Sequence, residues 1–87
     1  MATVQRCFDM ITTTDNLIDS WSAPDGFLGE YKGKRDALLE RICKDYGFSQ
    51  TWELGRIHFG CELNREAAVL YLELKKWIAQ NYKFPEQ

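Results

Sequence analysis

At 87 residues the chain has room for one domain, because two cores drawn from that length would each be too small to stand alone. Its 45% hydrophobic content, with three Trp, four Tyr and five Phe, excludes wholesale disorder and leaves aromatic area for an interface, a homo-oligomer included. With 11 Lys and Arg against 13 Asp and Glu, the net charge of -2 is too weak to steer the chain onto a polyanion or to imitate one.

The three cysteines, Cys7, Cys43 and Cys61, are odd in number and widely spaced, which argues against a secreted disulfide framework and for reduced thiols. Arg6 and Asp9 interrupt the first turns, and no apolar stretch is long enough for a signal peptide or a membrane span. The cytoplasm is therefore the expected location, with no membrane partner.

Val4, Cys7, Phe8, Ile11, Ile18 and Trp21 recur at helical spacing and predict a first helix over 4–21. The β-branched run Thr12, Thr13 and Thr14 interrupts the pattern. The helix is either continuous or breaks there and restarts with Thr14 or Asp15 as N-cap.

Ser22 to Gly33 holds Pro24, Gly26, Gly29 and Gly33, with the turn pair Asp25-Gly26, and reads as the main loop. Phe27, Leu28 and Tyr31 are too apolar for a solvated linker, so this loop is expected to fold back on the core, the alternative being presentation to a partner.

A second helix is expected from Lys34, with Leu38, Leu39, Ile42 and Tyr46 on one face and Arg35, Glu40, Arg41, Lys44 and Asp45 largely on the other. Gly47, followed by apolar Phe48, predicts a left-handed cap at its end.

Ser49 to Leu63 supports two readings. Ser49 capping a short helix with Trp52, Leu54, Ile57, His58 and Cys61 is one; alternation of Ile57, Phe59, Cys61 and Leu63 with polar residues or glycine, as in a half-buried strand, is the other. Since no other segment looks like a pairing partner, a short helix with frayed ends is the expectation.

Asn64 caps a long last helix reaching Tyr82, with Glu66 in its first turn and Lys75 and Lys76 toward its end, the charge order favoured by the helix dipole. Ala67, Ala68, Tyr71, Leu74, Ile78 and Tyr82 form one stripe, which Leu70, Trp77, Val69 and Leu72 widen. That width means a central helix or a flank that serves as an interface. The predicted fold is an all-α, compact bundle of three to four helices with a long C-terminal helix; the alternative is an α+β fold with a short strand or hairpin near 52–63.

Four sets of residues are candidates for chemistry or binding. Cys7, Cys43, His58 and Cys61 make up the ligand types of a Cys3His zinc site, but only His58 and Cys61 have the close spacing such sites use, and Cys7 and Cys43 fit core positions. His58 beside Cys61 is also the minimum of a thiol and imidazole pair, yet nothing else resembles a catalytic signature, so neither catalytic residues nor a cofactor are expected.

Lys32, Lys34, Arg35, Arg41 and Lys44 could touch a nucleic-acid backbone, with Ser49 to Tyr82 drawn as a helix-turn-helix. The would-be recognition helix is too apolar around its circumference for a major groove, and the charge balance lacks a basic footprint. Finally, Trp52 lies with Arg56 on the shortest and least regular segment, and Trp and Arg are enriched among interface hot spots. Trp52 and Arg56 are the leading candidates for a protein-binding patch, with Phe27 and Tyr31 as secondary ones.

The expectation from sequence is a protein-binding module without catalytic activity, acting as a regulator, inhibitor or assembly factor of the kind phage and mobile elements often carry. A small helix-turn-helix DNA binder is the alternative, and a zinc-stapled module the third.

Overall fold

The computed structural model describes residues 3–56 and 60–81. It is a small all-α bundle of three helices, α1 (Val4–Asp19), α2 (Asp25–Tyr46) and α3 (Arg65–Asn81), with a short 3-10 helix, Thr51–Arg56, between the last two. The long α2 is the central element, with α3 packed along it and the 3-10 helix against it.

α1 is continuous through the Thr run. Thr3 caps it, its Oγ1 accepting the Arg6 N–H at 3.2 Å, and Val4, Cys7, Ile11 and Thr14 follow as its buried face. Thr14 therefore contributes to the core at the place where propensity alone suggested a break; burial of that face outweighs the few tenths of a kcal/mol lost per β-branched residue, roughly the spread of the propensity scale. Ser20 and Trp21 close the helix by donating their N–H groups to Leu17 and Ile18.

The expected loop over 22–33 is corrected. Only 20–24 lies between the helices, and Gly26, Gly29 and Gly33 are ordinary residues of α2. Each has open space where a Cβ would stand, and none has positive φ, so they form a solvent-facing stripe at helical spacing. On the opposite side, Phe27, Tyr31, Leu38 and Ile42 form one buried line. Each helical glycine costs about 1 kcal/mol relative to alanine, and the burial of two large aromatic side chains offsets that cost.

α2 ends as its sequence predicts. Gly47 adopts φ 75° and ψ 21°, its N–H reaches the Lys44 carbonyl at 3.3 Å, and the Phe48 N–H reaches the Cys43 carbonyl at 2.8 Å. This is the Schellman arrangement, and Tyr46 and Phe48 stack across it at 6.1 Å.

Thr51–Arg56 is helical, as favoured, but of the tighter 3-10 form. Ser49 donates its hydroxyl to Glu53 instead of capping backbone amides. The strand alternative is reduced, among the described residues, to an isolated antiparallel bridge between Thr3 and Glu62, with the Val4 N–H on the Cys61 carbonyl at 2.9 Å. Ile57, His58 and Phe59 lie outside the described residues.

Asn64 caps α3, its side-chain oxygen accepting the Glu66 N–H at 3.1 Å. Ala67, Tyr71 and Leu74 are buried, with Leu70, Trp77 and Ile78 packed beside them. Tyr82 lies outside the described residues, and Val69 and Leu72 face outward, 49% and 57% exposed. α3 therefore buries one side and leaves two aliphatic side chains on the other.

The core gathers Val4 and Cys7 of α1, Tyr31, Leu38 and Ile42 of α2, and Leu74 of α3, all fully buried. At one end sits an aromatic cluster, with Phe27 meeting Trp21 edge-on at 5.2 Å and lying against Trp77 at 4.9 Å.

Candidate functional site

Trp52 is the most exposed large apolar residue described, 71% accessible. Its position follows from the 3-10 helix that carries it. Leu54 turns into the core, Glu53 donates its backbone N–H to Gln50, and Glu53 also takes the Ser49 hydroxyl at 3.2 Å. In a helix of about three residues per turn, a side chain two positions before an inward one points elsewhere, so anchoring Leu54 holds Trp52 out. The Arg56 guanidinium lies over the indole, 5.8 Å from its centroid. At an exposed site such a contact contributes about 0.5–1 kcal/mol. The two leading binding candidates thus form one unit.

The secondary candidates do not join it. Phe27 and Tyr31 are 8% and 1% exposed, inside the bundle, because the segment carrying them is helix and directs both against α1 and α3. The buried Tyr31 hydroxyl donates to Asp15 at 2.6 Å. Burial first, and then that hydrogen bond, push the phenol well above its ordinary range. Arg35 completes the cluster, 3.5 Å from Asp15 and above the Tyr31 ring. Tyr31 and Arg35 stand one turn apart on α2, but Asp15 joins them only through the approach of α1 to α2, so no local pattern announces the whole clasp.

The five cations considered for nucleic acid are dispersed. Arg35 is committed to Asp15 and Asp36, and Arg41 to Asp45 at 2.7 Å and Glu66 at 2.8 Å, the latter tying α2 to α3. The Lys34 ammonium lies 5.8 Å above the Trp77 ring. Lys32 and Lys44 are exposed on α2, about 120° apart around its axis at 3.6 residues per turn.

Of the four candidate zinc ligands, Cys7 and Cys43 are buried core residues and Cys61 is half-buried, all with free thiols, while His58 lies outside the described residues. Burial pushes the Cys7 thiol up to about 12, and burial likewise raises Cys43, whose Sγ–H donates to the Gln50 carbonyl at 3.7 Å. Among the described residues no group of His, Cys, Asp or Glu is arranged to hold a metal ion.

A shallow groove of about 390 Å³ runs between α1 and α2, past Ile11, Asp15, Arg35, Asp36 and Glu40, and ends at Thr51, the residue before Trp52. A second, of about 440 Å³, runs from Thr51 past Phe48 and Lys44. Thr51 thus borders both grooves.

The molecule so defined is a small all-α bundle with one aromatic and cationic corner. No protein-family model matches the chain, no curated protein matches its sequence, and no solved structure matches its fold. No helix among the described residues is long and apolar enough to cross a membrane.

Proposed function

We propose that this domain is a protein-binding module whose contact surface centres on Trp52 and Arg56. The observation that carries the proposal is the 71% exposure of a tryptophan held by a short helix whose neighbouring side chain, Leu54, is locked into the core. Among the exposed apolar side chains described, Tyr46, Val69 and Leu72 included, Trp52 is the most accessible, and it stands on a helical turn, so a partner gains the area of a large aromatic ring. A regulatory, inhibitory or assembly role suits a module that acts through one such surface, and the cytoplasm is its proposed location.

The protein reading is preferred to the nucleic-acid one because Arg35 and Arg41, two of the cations that reading needs, are already paired with carboxylates. Affinity purification of the tagged protein from its native cells, with nuclease and moderate salt, tests the proposal. A stoichiometric protein partner retained by the wild type and lost from Trp52→Ala and Arg56→Ala is the expected result. Retention by both folded variants, or a partner that disappears with nuclease, would overturn it.

A further inference from the structure

Resting on that reading, we infer that the Trp52 and Arg56 corner takes a partner segment that brings a single carboxylate side chain, Asp or Glu, next to an aliphatic or aromatic one. The chemistry follows from what each group leaves unfilled. Arg56 has no acidic partner among the described residues; its one recorded contact is the indole of Trp52. With no ion pair or hydrogen bond to another described residue, the guanidinium keeps its planar fork of N–H donors open, and that fork matches a carboxylate in bidentate geometry. The exposed indole beside it takes an apolar side chain.

The surroundings limit the negative charge the corner accepts. Glu53 is the neighbour of Trp52, and Thr51, on its other side, borders the groove that carries Glu40 together with Asp15 and Asp36, both of which Arg35 pairs. A polyanion running across this surface would meet the carboxylates of Glu53 and Glu40. A lone acidic side chain docked at Arg56 need not. The same indole and guanidinium could stack a base and bind a phosphate in single-stranded nucleic acid, and the flanking acids are the reason a peptide is favoured.

Selection of a random peptide library on the immobilised full chain tests the inference, with an oligothymidylate as a second probe. The wild type is expected to enrich peptides in which Asp or Glu adjoins Leu, Phe or Trp, and Arg56→Gln to weaken a selected peptide by about tenfold or more. Arg56→Glu is expected to shift the enrichment from acidic to basic residues at the same position. An unchanged preference in Arg56→Glu, enrichment without acidic residues, no enrichment, or oligothymidylate binding that depends on Trp52 would each overturn the inference. Failure of the underlying reading looks different: Trp52→Ala, folded by circular dichroism, would then enrich the same peptides as the wild type.

Discussion

The aromatic cluster of Trp21, Phe27 and Trp77 and the corner formed by Trp52 and Arg56 use the same kinds of side chain for opposite ends. In the cluster, Phe27 and Trp77 stand on long helices and Trp21 just past the end of α1, so each ring is brought against a ring of another segment, at 5.2 Å and 4.9 Å from Phe27. At the corner the carrier is a six-residue 3-10 helix, whose side chain buried in the core is Leu54 among those described. The difference shows that the fate of an aromatic residue here depends on the length and pitch of the element bearing it. A long helix can bury a stripe; a short turn can bury a point.

The sharpest way to break this comparison is a pair of truncations. Phe27→Ala should cost about 3–5 kcal/mol in urea unfolding, as for other buried large-to-small changes, whereas Trp52→Ala should stay within about 0.5 kcal/mol. Comparable losses would mean that Trp52 is structural. Tyr31→Phe should cost less than Phe27→Ala, about 1–2 kcal/mol, because it removes the part-buried hydrogen bond to Asp15 but retains the ring.

The glycines of α2 offer a smaller test with two signs. Gly47→Ala, at φ 75°, should destabilise by about 1 kcal/mol. Gly33→Ala, on the open side of the same helix, should raise the melting temperature through a gain of about 0.5–1 kcal/mol. If Gly33→Ala instead destabilised, the open side of α2 would be wrongly placed.

A test of another kind is the alkaline dependence of the buried region. The Cys7 thiol is raised from 9.0 to about 12, so its proton is held more tightly in the folded chain. Its stabilisation is complete below about pH 9 and declines as pH rises from there toward 12, because the unfolded thiol ionises first. Denaturation midpoints should fall over that window, less steeply in Cys7→Ala. The burial and hydrogen bond of Tyr31 act in the same direction.

Much of the fold was legible where a residue's role is decided by its neighbours in the chain. The apolar spacing in α3, the Asn64 cap and the left-handed Gly47 are all local arguments, and the structure agrees with each. The segment over 22–33 was misread because glycine density outweighed periodicity. The helical signal was nevertheless present: Gly26, Gly29 and Gly33 recur at intervals of three and four, as Phe27 and Tyr31 do at four, so glycines and aromatics occupy opposite sides of one cylinder.

By itself, then, the amino-acid sequence determined the helical class, the caps of α3 and of the end of α2, and the pairing of Trp52 with Arg56 on one short element, because these depend on contacts within a few residues. The burial of Phe27 and Tyr31 agrees with the expectation that their segment folds back on the core, whereas tertiary structure alone decided that the Thr run stays helical and that Arg35 and Arg41 are held by carboxylates of other helices. Those outcomes depend on surfaces that meet only when α1 and α3 close on α2. Burial free energy at such contacts exceeds the local preference of any single residue.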